Sequence, residues 1–242
     1  MPRSADPERL YVVLVSTRNP LNLGAAARAM SNFGRSRLRV VAPYDVAWRQ
    51  ARSAVGAESV LKSAEEFPTV AEAVADCTLV VGTTSGSRRQ LRQSLRDLPA
   101  AAPLIRSRLC SGPVALLFGS EKRGLSNDDL SQCDWLLRIP TASPQPSMNL
   151  AQAVAVCLYE LARAKPARRE AREHAAPATA GDLQRLTELW LSVLTASGYL
   201  PALPAPARKE KVRRLLRAMD LDKRDAELWL GMLRQVHWKL RS

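Results

Sequence analysis

The sequence predicts an α/β fold, a parallel sheet with helices on both faces, followed by a small all-α region. Three observations carry this expectation. Short apolar, β-branched runs recur at 11–16, 38–41, 78–82, 114–118 and 135–139, with helical stretches between them. Continuous apolar strands separated by helices belong to parallel sheets, where both faces of each strand are covered. Beyond about residue 164 the composition shifts and three amphipathic helical patterns follow without a strand. The 242 residues also exceed the usual single-domain length of roughly 100 to 150, so a full domain plus a smaller one is expected. The predicted boundaries are 1–164 for the α/β domain, 165–180 for a linker, and 181–242 for a basic helical domain.

Within the first domain, Thr69 with Glu72 has the form of a capping box opening a short helix, and Ser126 with Asp129 repeats a hydroxyl cap followed by an acid. The last helix of the domain spans about 149–164, with Leu150, Val154, Cys157, Leu158 and Leu161 on one face. Residues 165–180 (KPARREAREHAAPATA) are charged, alanine-rich and interrupted by proline, which reads as a linker. The first C-terminal helix carries Leu186, Leu189, Trp190 and Val193. The second carries Val212, Leu215, Leu216 and Met219, and the third Trp229, Met232, Leu233, Val236 and Leu240; a proline-rich loop at 199–207 separates the first two.

Charge points to a polyanionic partner. The chain has 36 basic and 23 acidic residues, a formal +13, and the stretch from Arg163 onward holds 17 basic against 9 acidic residues. Lys209, Lys211, Arg213, Arg214 and Arg217 crowd onto the second C-terminal helix as a candidate phosphate-contacting face. A general arginine excess that serves solubility accounts for the same composition. Cys77, Cys110, Cys133 and Cys157 are dispersed without a CxxC pair, and His174 and His237 are remote from them, so neither a disulfide framework nor a metal site is expected. The polar N-terminus and the lack of an apolar run near the roughly 20 residues that span a bilayer argue for no membrane association and a cytoplasmic location.

The segments with chemical potential lie in the α/β part. Residues 19–28 (NPLNLGAAAR) follow the first strand; Asn22 is expected to cap a helix whose free N–H groups attract phosphate, with Asn19 beside it and Arg28 near enough to grip the anion. An ordinary strand–loop–helix turn with a surface arginine fits those residues equally well. No GxGxxG follows the first strand, and GSEKRGLS at 119–126 has Leu125 where a P-loop needs lysine, so a dinucleotide site and ATP hydrolysis are disfavoured. What remains is a group of turns at the ends of late strands: 82–86 (GTTSG), 118–121 (FGSE) and 139–141 (IPT). Ligands of open α/β sheets bind outside the carboxyl ends of the strands, so these turns are candidates for one pocket.

Residues 19–28, 118–125 (FGSEKRGL) and 139–151 (IPTASPQPSMNLA) stand in the order and approximate spacing of the three motifs of the SPOUT methyltransferase superfamily, which the chain resembles over roughly 11–161. Within it the chain is similar to the bacterial TrmJ-type tRNA (cytidine/uridine-2′-O)-methyltransferases, which modify position 32 of the anticodon loop. The resemblance implies S-adenosyl-L-methionine as cofactor, tRNA as partner, no metal, a C-terminal trefoil knot from about Phe118 to the Asn149 helix, and a homodimer through the knot region with each site completed by the partner subunit. It implies that Thr83, Thr84, Ser85, Gly119, Ile139, Pro146, Ser147 and Met148 hold the cofactor. It further implies that Arg28, Glu121, Asn149 and Ser147 serve catalysis. Ser120 departs from the family pattern, where a second arginine is common, as do Pro146 and Met148, where Ser or Thr and Leu are frequent. A related ribose methyltransferase acting on rRNA, and a non-catalytic RNA-binding protein of the same fold, are the competing readings.

Overall fold

The computed structural model describes residues 7–46, 48, 58–86, 93–142, 146–166, 176–200 and 205–241. Most of the expected linker, and the proline-rich part of the 199–207 loop, lie outside them.

Each apolar run becomes a strand because its side chains are needed on both sides. In β1 (Leu10–Val15), Leu10, Val12 and Leu14 enter one hydrophobic cluster while Val13 and Val15 enter another. β6 (Val114–Phe118) divides in the same way, Val114, Leu116 and Phe118 against Ala115 and Leu117, so helices must cover both faces. The other strands are β2 (Leu38–Val41), β3 (Glu65–Phe67), β4 (Leu79–Thr83), β5 (Leu95–Asp97) and β7 (Trp135–Arg138). Among the described residues these seven strands are all parallel, in the order β3-β2-β1-β6-β4-β7-β5. β3 and β5, absent from the sequence reading, are three-residue edge strands with charged residues, short and polar as protected edges tend to be.

The helices are α1 (Pro20–Asn32), α2 (Glu58–Lys62), α3 (Val70–Ala73), α4 (Leu98–Leu109), α5 (Asn127–Ser131), α6 (Leu150–Arg163), α7 (Ala180–Ala196), α8 (Ala205–Ala218) and α9 (Lys223–Arg241). Ser126 with Asp129 forms a full capping box on α5, whereas the box expected at Thr69 is half made: Thr69 Oγ1 accepts from the Glu72 N–H, but the Glu72 carboxylate meets the Thr69 hydroxyl and not its backbone N–H. Asn22 does not cap α1. Asn19 does, its side chain accepting from the Leu21 N–H at 2.9 Å with Pro20 at the first helical position, so Asn22 falls inside the first turn and is buried.

The parallel arrangement brings the ends of β1, β6, β4 and β7, four neighbours in the sheet, to one side. The strands are not laid down in that order. β6 inserts between β1 and β4, and β7 between β4 and β5, after both outer partners already exist in the chain. α6 then packs beside α1 and α4 on the face lined by the first cluster.

The C-terminal helices dock on the opposite face. Ala180 belongs to the second sheet cluster and its N–H donates to the Cys77 carbonyl at 2.8 Å. α7, α8 and α9 share a small core of Leu186, Val193, Leu216, Leu230 and Leu233, with the Trp190 and Trp229 ring centroids 5.2 Å apart. On α8 the inward face differs from the sequence reading. Leu215 and Met219 are exposed, whereas Arg213 and Arg217 are 3% and 8% exposed. Arg213 donates to Ser131 and, at 3.1 Å, to Asp128; Arg217 donates to Asp134 at 2.7 Å. These two arginines therefore face carboxylates of the α/β domain and not solvent, and the expectation that they contact phosphate is corrected. Met232, Val236 and Leu240 of α9 are likewise exposed, while Ala226, Leu230 and Leu233 form its buried side. Among the described residues no helix is long and apolar enough to cross a membrane.

Removing one partner of a buried ion pair leaves the other charge uncompensated. Arg217→Met should cost about 2–4 kcal/mol in denaturant unfolding, with Asp134 left facing the vacated position; a loss within ±0.5 kcal/mol would show that the pair does not anchor α8.

A candidate cofactor cavity and the network behind it

Three of the strand ends build one cavity of about 720 Å3. Its walls are the turn after β4 with Thr83, Thr84 and Ser85, the turn after β6 with Gly119 and Glu121, and the segment after β7 with Ile139, Pro146, Ser147 and Met148. All nine residues were expected near a ligand site from the sequence, and they line the same space. The volume is that of a typical small-molecule site, with apolar Leu125, Leu130, Leu137 and Ile139 beside hydroxyl- and backbone-rich turns.

The turns are held by backbone geometry more than by side-chain ligands. Thr83 Oγ1 donates to the Leu117 carbonyl at 2.8 Å, tying β4 to β6, and the Thr84 N–H donates to the Leu137 carbonyl at 2.9 Å, tying it to β7. Thr83 is thus partly a structural clamp. Residues 119–125 fold back on themselves through a Ser120–Gly124 bridge, with Gly124 at φ +66°. A Cβ on Gly119 would fall 2.1 Å from both the Gly124 carbonyl carbon and the Leu125 nitrogen, which are backbone atoms with nowhere to go. Glycine is the residue that closes this turn.

Behind the cavity, three distant segments meet in one hydrogen-bond chain. Glu121 accepts from Asn22 Nδ2 at 2.9 Å and from the N–H groups of Arg18 and Asn19, both at 3.4 Å. Asn22 Oδ1 in turn accepts from Asn149 Nδ2 at 2.9 Å. Asn149 Oδ1 accepts from Ala151 N–H at 3.0 Å, and more distantly from Gln152, capping α6. Burial would raise the Glu121 carboxyl, but the hydrogen bonds from Asn22 and the backbone outweigh it and hold the group below its ordinary value. Asn22, read from sequence as the cap of a phosphate-attracting helix start, is instead the buried joint between Glu121 and Asn149. Asn19 caps α1, and its N–H faces Glu121.

The remaining predicted residues lie elsewhere. Arg28 is on the exposed side of α1 with Leu21, outside the cavity, and makes no hydrogen bond or ion pair among the described residues. Lys211 on α8 is exposed, Lys209 is half-buried, and Arg214 pairs with Glu210 at 3.9 Å. Sequence reasoning missed the partners of Arg213 and Arg217, since nothing in the local pattern places Asp128, Ser131 and Asp134 opposite α8. It also missed the inward turn of Asn22, for which an amide within a run of small residues was the available signal. No three His, Cys, Asp or Glu side chains cluster to hold a metal ion among the described residues.

Two outcomes follow from this geometry. Gly119→Ala should abolish cofactor-sized ligand binding in calorimetry while the fold persists by circular dichroism, because the new methyl must force the 119–125 turn open. The lowered Glu121 carboxyl adds stability that is fully present above its ordinary value of 4.5 and is lost as pH falls through the lower folded value. The stability difference between wild type and Glu121→Gln should accordingly shrink as unfolding is measured from pH 6 down to pH 3; a constant difference would count against the charged network.

Comparison with known proteins identifies the family of the chain. The profile of the SpoU rRNA Methylase family matches residues 9–159. The chain is 32% identical over 241 residues to the tRNA (cytidine/uridine/adenosine-2'-O-)-methyltransferase TrmJ of Pseudomonas aeruginosa (strain UCBPP-PA14), covering 95% of this chain and 94% of that protein. It is 33% identical over 243 residues to the tRNA (cytidine/uridine-2'-O-)-methyltransferase TrmJ of Yersinia pestis (strain Pestoides F), covering 94% and 91%. Its fold is similar to the crystal structure of TrmJ from Z. mobilis ZM4, with a TM-score of 0.80, 32% identity and coverage of 93% of this chain and 98% of that one. The structure described as a probable methylase family protein from Haemophilus influenzae Rd KW20 matches with a TM-score of 0.59 and 28% identity over 98% of this chain and 99% of that one. With the matched profile spanning the sheet, the cavity turns and most of the helix that Asn149 caps, the chain belongs to the SpoU methylase family.

Proposed function

We propose that this protein transfers a methyl group from S-adenosyl-L-methionine to a ribose 2′-hydroxyl of tRNA, releasing S-adenosyl-L-homocysteine. A cytidine or uridine of the anticodon loop, position 32 first, is the proposed target, and the cytoplasm the place of action. The observation that carries the reading is the single cavity made by the turns after β4, β6 and β7, locked from behind by the Glu121–Asn22–Asn149 chain. Near-full-length similarity to proteins named as tRNA 2′-O-methyltransferases supports tRNA as the substrate.

The cofactor supplies an activated methyl on a sulfonium, so the protein's task is alignment and proton removal more than bond activation. Thr83, Thr84, Ser85, Gly119, Ile139, Pro146, Ser147 and Met148 would hold it, largely through backbone groups and the apolar floor. Bound there, the cofactor would supply its methyl group to the ribose oxygen and leave as the thioether, with the hydroxyl proton passing to a base or water. Arg28 is proposed to orient the target nucleotide through its phosphate or 2′-oxygen. A guanidinium of pKa above about 12 is a poor proton acceptor, so it is not assigned as the base.

Arg28 stands outside the cavity of its own chain, which is reason to assign the active form as a homodimer in which α1 of one subunit completes the other's site. Leu21, 79% exposed and two turns before Arg28 on the same side of α1, and Tyr159, exposed on α6, supply an apolar face for that contact. The late insertion of β6 and β7 into the sheet, followed by the return of α6 against α1, supports a trefoil knot in this half of the domain. We assign 1–164 to catalysis and 181–242 to RNA binding. The family's description as an rRNA methylase keeps an rRNA ribose as the second candidate substrate.

The test is methyl transfer to unmodified tRNA, with mass spectrometry of tRNA from a deletion strain locating the nucleotide; an unchanged modification profile would remove tRNA as the substrate. Arg28→Lys should lose nearly all turnover while cofactor affinity stays within about twofold. Leu21→Glu, a surface change in the monomer, should shift the sedimenting species from dimer to monomer and remove turnover with it.

A further inference from the structure

We propose that the carboxyl ends of β1 and β2 form a subsite for the nucleotide next to the methylated ribose, with the Tyr44 ring taking its base and Arg18 and Lys122 its phosphates. The inference deepens the reading of this protein as a tRNA 2′-O-methyltransferase and rests on it. The cofactor cavity takes up one half of the sheet edge, at the ends of β6, β4 and β7. On the other side of β6 the sheet continues with β1 and β2, whose ends face the same way, and none of their residues lines the cavity. Tyr44 follows β2, two strand spacings or about 10 Å along the edge from the turn after β6.

Hydrogen bonds make the two halves one continuous surface. Glu121 and Lys122 line the cavity, and the Glu121 carboxylate accepts from the Arg18 and Asn19 N–H groups, both at 3.4 Å. One residue earlier, the Thr17 carbonyl accepts from the Tyr44 N–H at 3.3 Å. The path from the cavity to Tyr44 thus runs through residues 121, 18 and 17 without a break. The turn that carries Tyr44 is anchored from beneath: the Trp48 N–H donates to the Tyr44 carbonyl at 2.9 Å, and the buried Trp48 indole donates to Glu66. Tyr44 itself is 58% exposed, with Val46 exposed beside it.

Backbone and charge both set this end of the sheet apart. Ser16 (φ +53°) and Ala42 (φ +42°) hold the left-handed region without being glycine, as only Asp220 does elsewhere among the described residues. Such conformations persist where the surrounding structure enforces them, and they concentrate at ligand clamps. Here they turn the chain out of two neighbouring strands in step, which brings Thr17 and Tyr44 together. Arg18 and Lys122 are exposed, and their side chains make no hydrogen bond or ion pair among the described residues. The carboxylates nearby are already engaged, Glu121 by Asn22 and the backbone and Asp45 within the chain. An exposed ring between cations suits single-stranded RNA: an unpaired base stacks on the ring, and the phosphates on either side meet the positive charges. A second copy of this chain, itself at a formal +13, suits such a rim less well.

The experiment measures dissociation constants of the full chain for unmodified tRNA and for tRNA made abasic at either neighbour of the methylated nucleotide. Tyr44→Ala should weaken tRNA binding on the order of tenfold, the effect of losing one stacked base, with cofactor affinity within about twofold. Tyr44→Phe should bind as wild type does, because stacking needs the ring and not the hydroxyl. One abasic neighbour should weaken wild-type binding by a similar factor but Tyr44→Ala by less than about twofold, since both changes remove the same contact. Arg18→Gln should lower the slope of log affinity against log salt by about one. Unchanged tRNA affinity in Tyr44→Ala overturns the site, as does an equal abasic penalty in wild type and variant. A drop in sedimenting mass for Tyr44→Ala would assign the surface to a second copy and overturns it as well. Wild-type protein that neither binds tRNA nor transfers methyl overturns the functional reading and this subsite with it, an outcome read without any variant.

Discussion

The hydrogen-bond chain from Glu121 through Asn22 to Asn149 joins segments about a hundred residues apart in sequence and is the constraint on which the site depends. Each member also holds its own segment. Glu121 gathers the backbone N–H groups of the turn after β1, Asn149 caps α6, and Asn22 lies in the first turn of α1. The position of the third motif relative to the first is thus set by side-chain amides in a half-dry space, where an unpaired polar group is costly. The cavity turns are thus backed by a frame of hydrogen bonds between segments.

The frame explains a division of labour among polar residues. Groups expected from sequence to touch ligand separate into those that line the cavity, such as Ser85 and Ser147, and those that hold the lining in place, such as Asn22 and Asn149. Thr83 does both, lining the space while clamping β4 to β6. On the other face of the sheet, Arg213 and Arg217 lock α8 onto α5 and the start of β7, directly after the 119–125 turn in the chain. The basic helical region is therefore fixed to the same stretch that forms the cavity wall.

Much of the fold was legible because strands buried on both faces are apolar along their whole length. Two expected strands match the observed bounds, 38–41 and 114–118, and the other three differ by a residue at one or both ends. The edge strands β3 and β5 were not legible, since three charged or mixed residues leave no periodic trace. On α8 and α9 the apolar pattern existed but its direction was misread. Leu215 and Met219 satisfy helical spacing as well as Val212 and Leu216 do, and only the carboxylates of a distant segment decide that two arginines turn inward.

By itself the sequence determined the composition of the site and its family. Motif order, the glycine of a turn that tolerates no Cβ, and the apolar strands that place turns on one edge are local properties, written in consecutive residues. Tertiary structure alone decided which polar groups line the cavity, which face each other, and which cations stay exposed. The reason is physical. Hydrogen bonds and ion pairs between segments a hundred residues apart leave no periodicity in the chain, and burial, which turns a solvated amide or guanidinium into a structural joint, exists only once the sheet has brought those segments together.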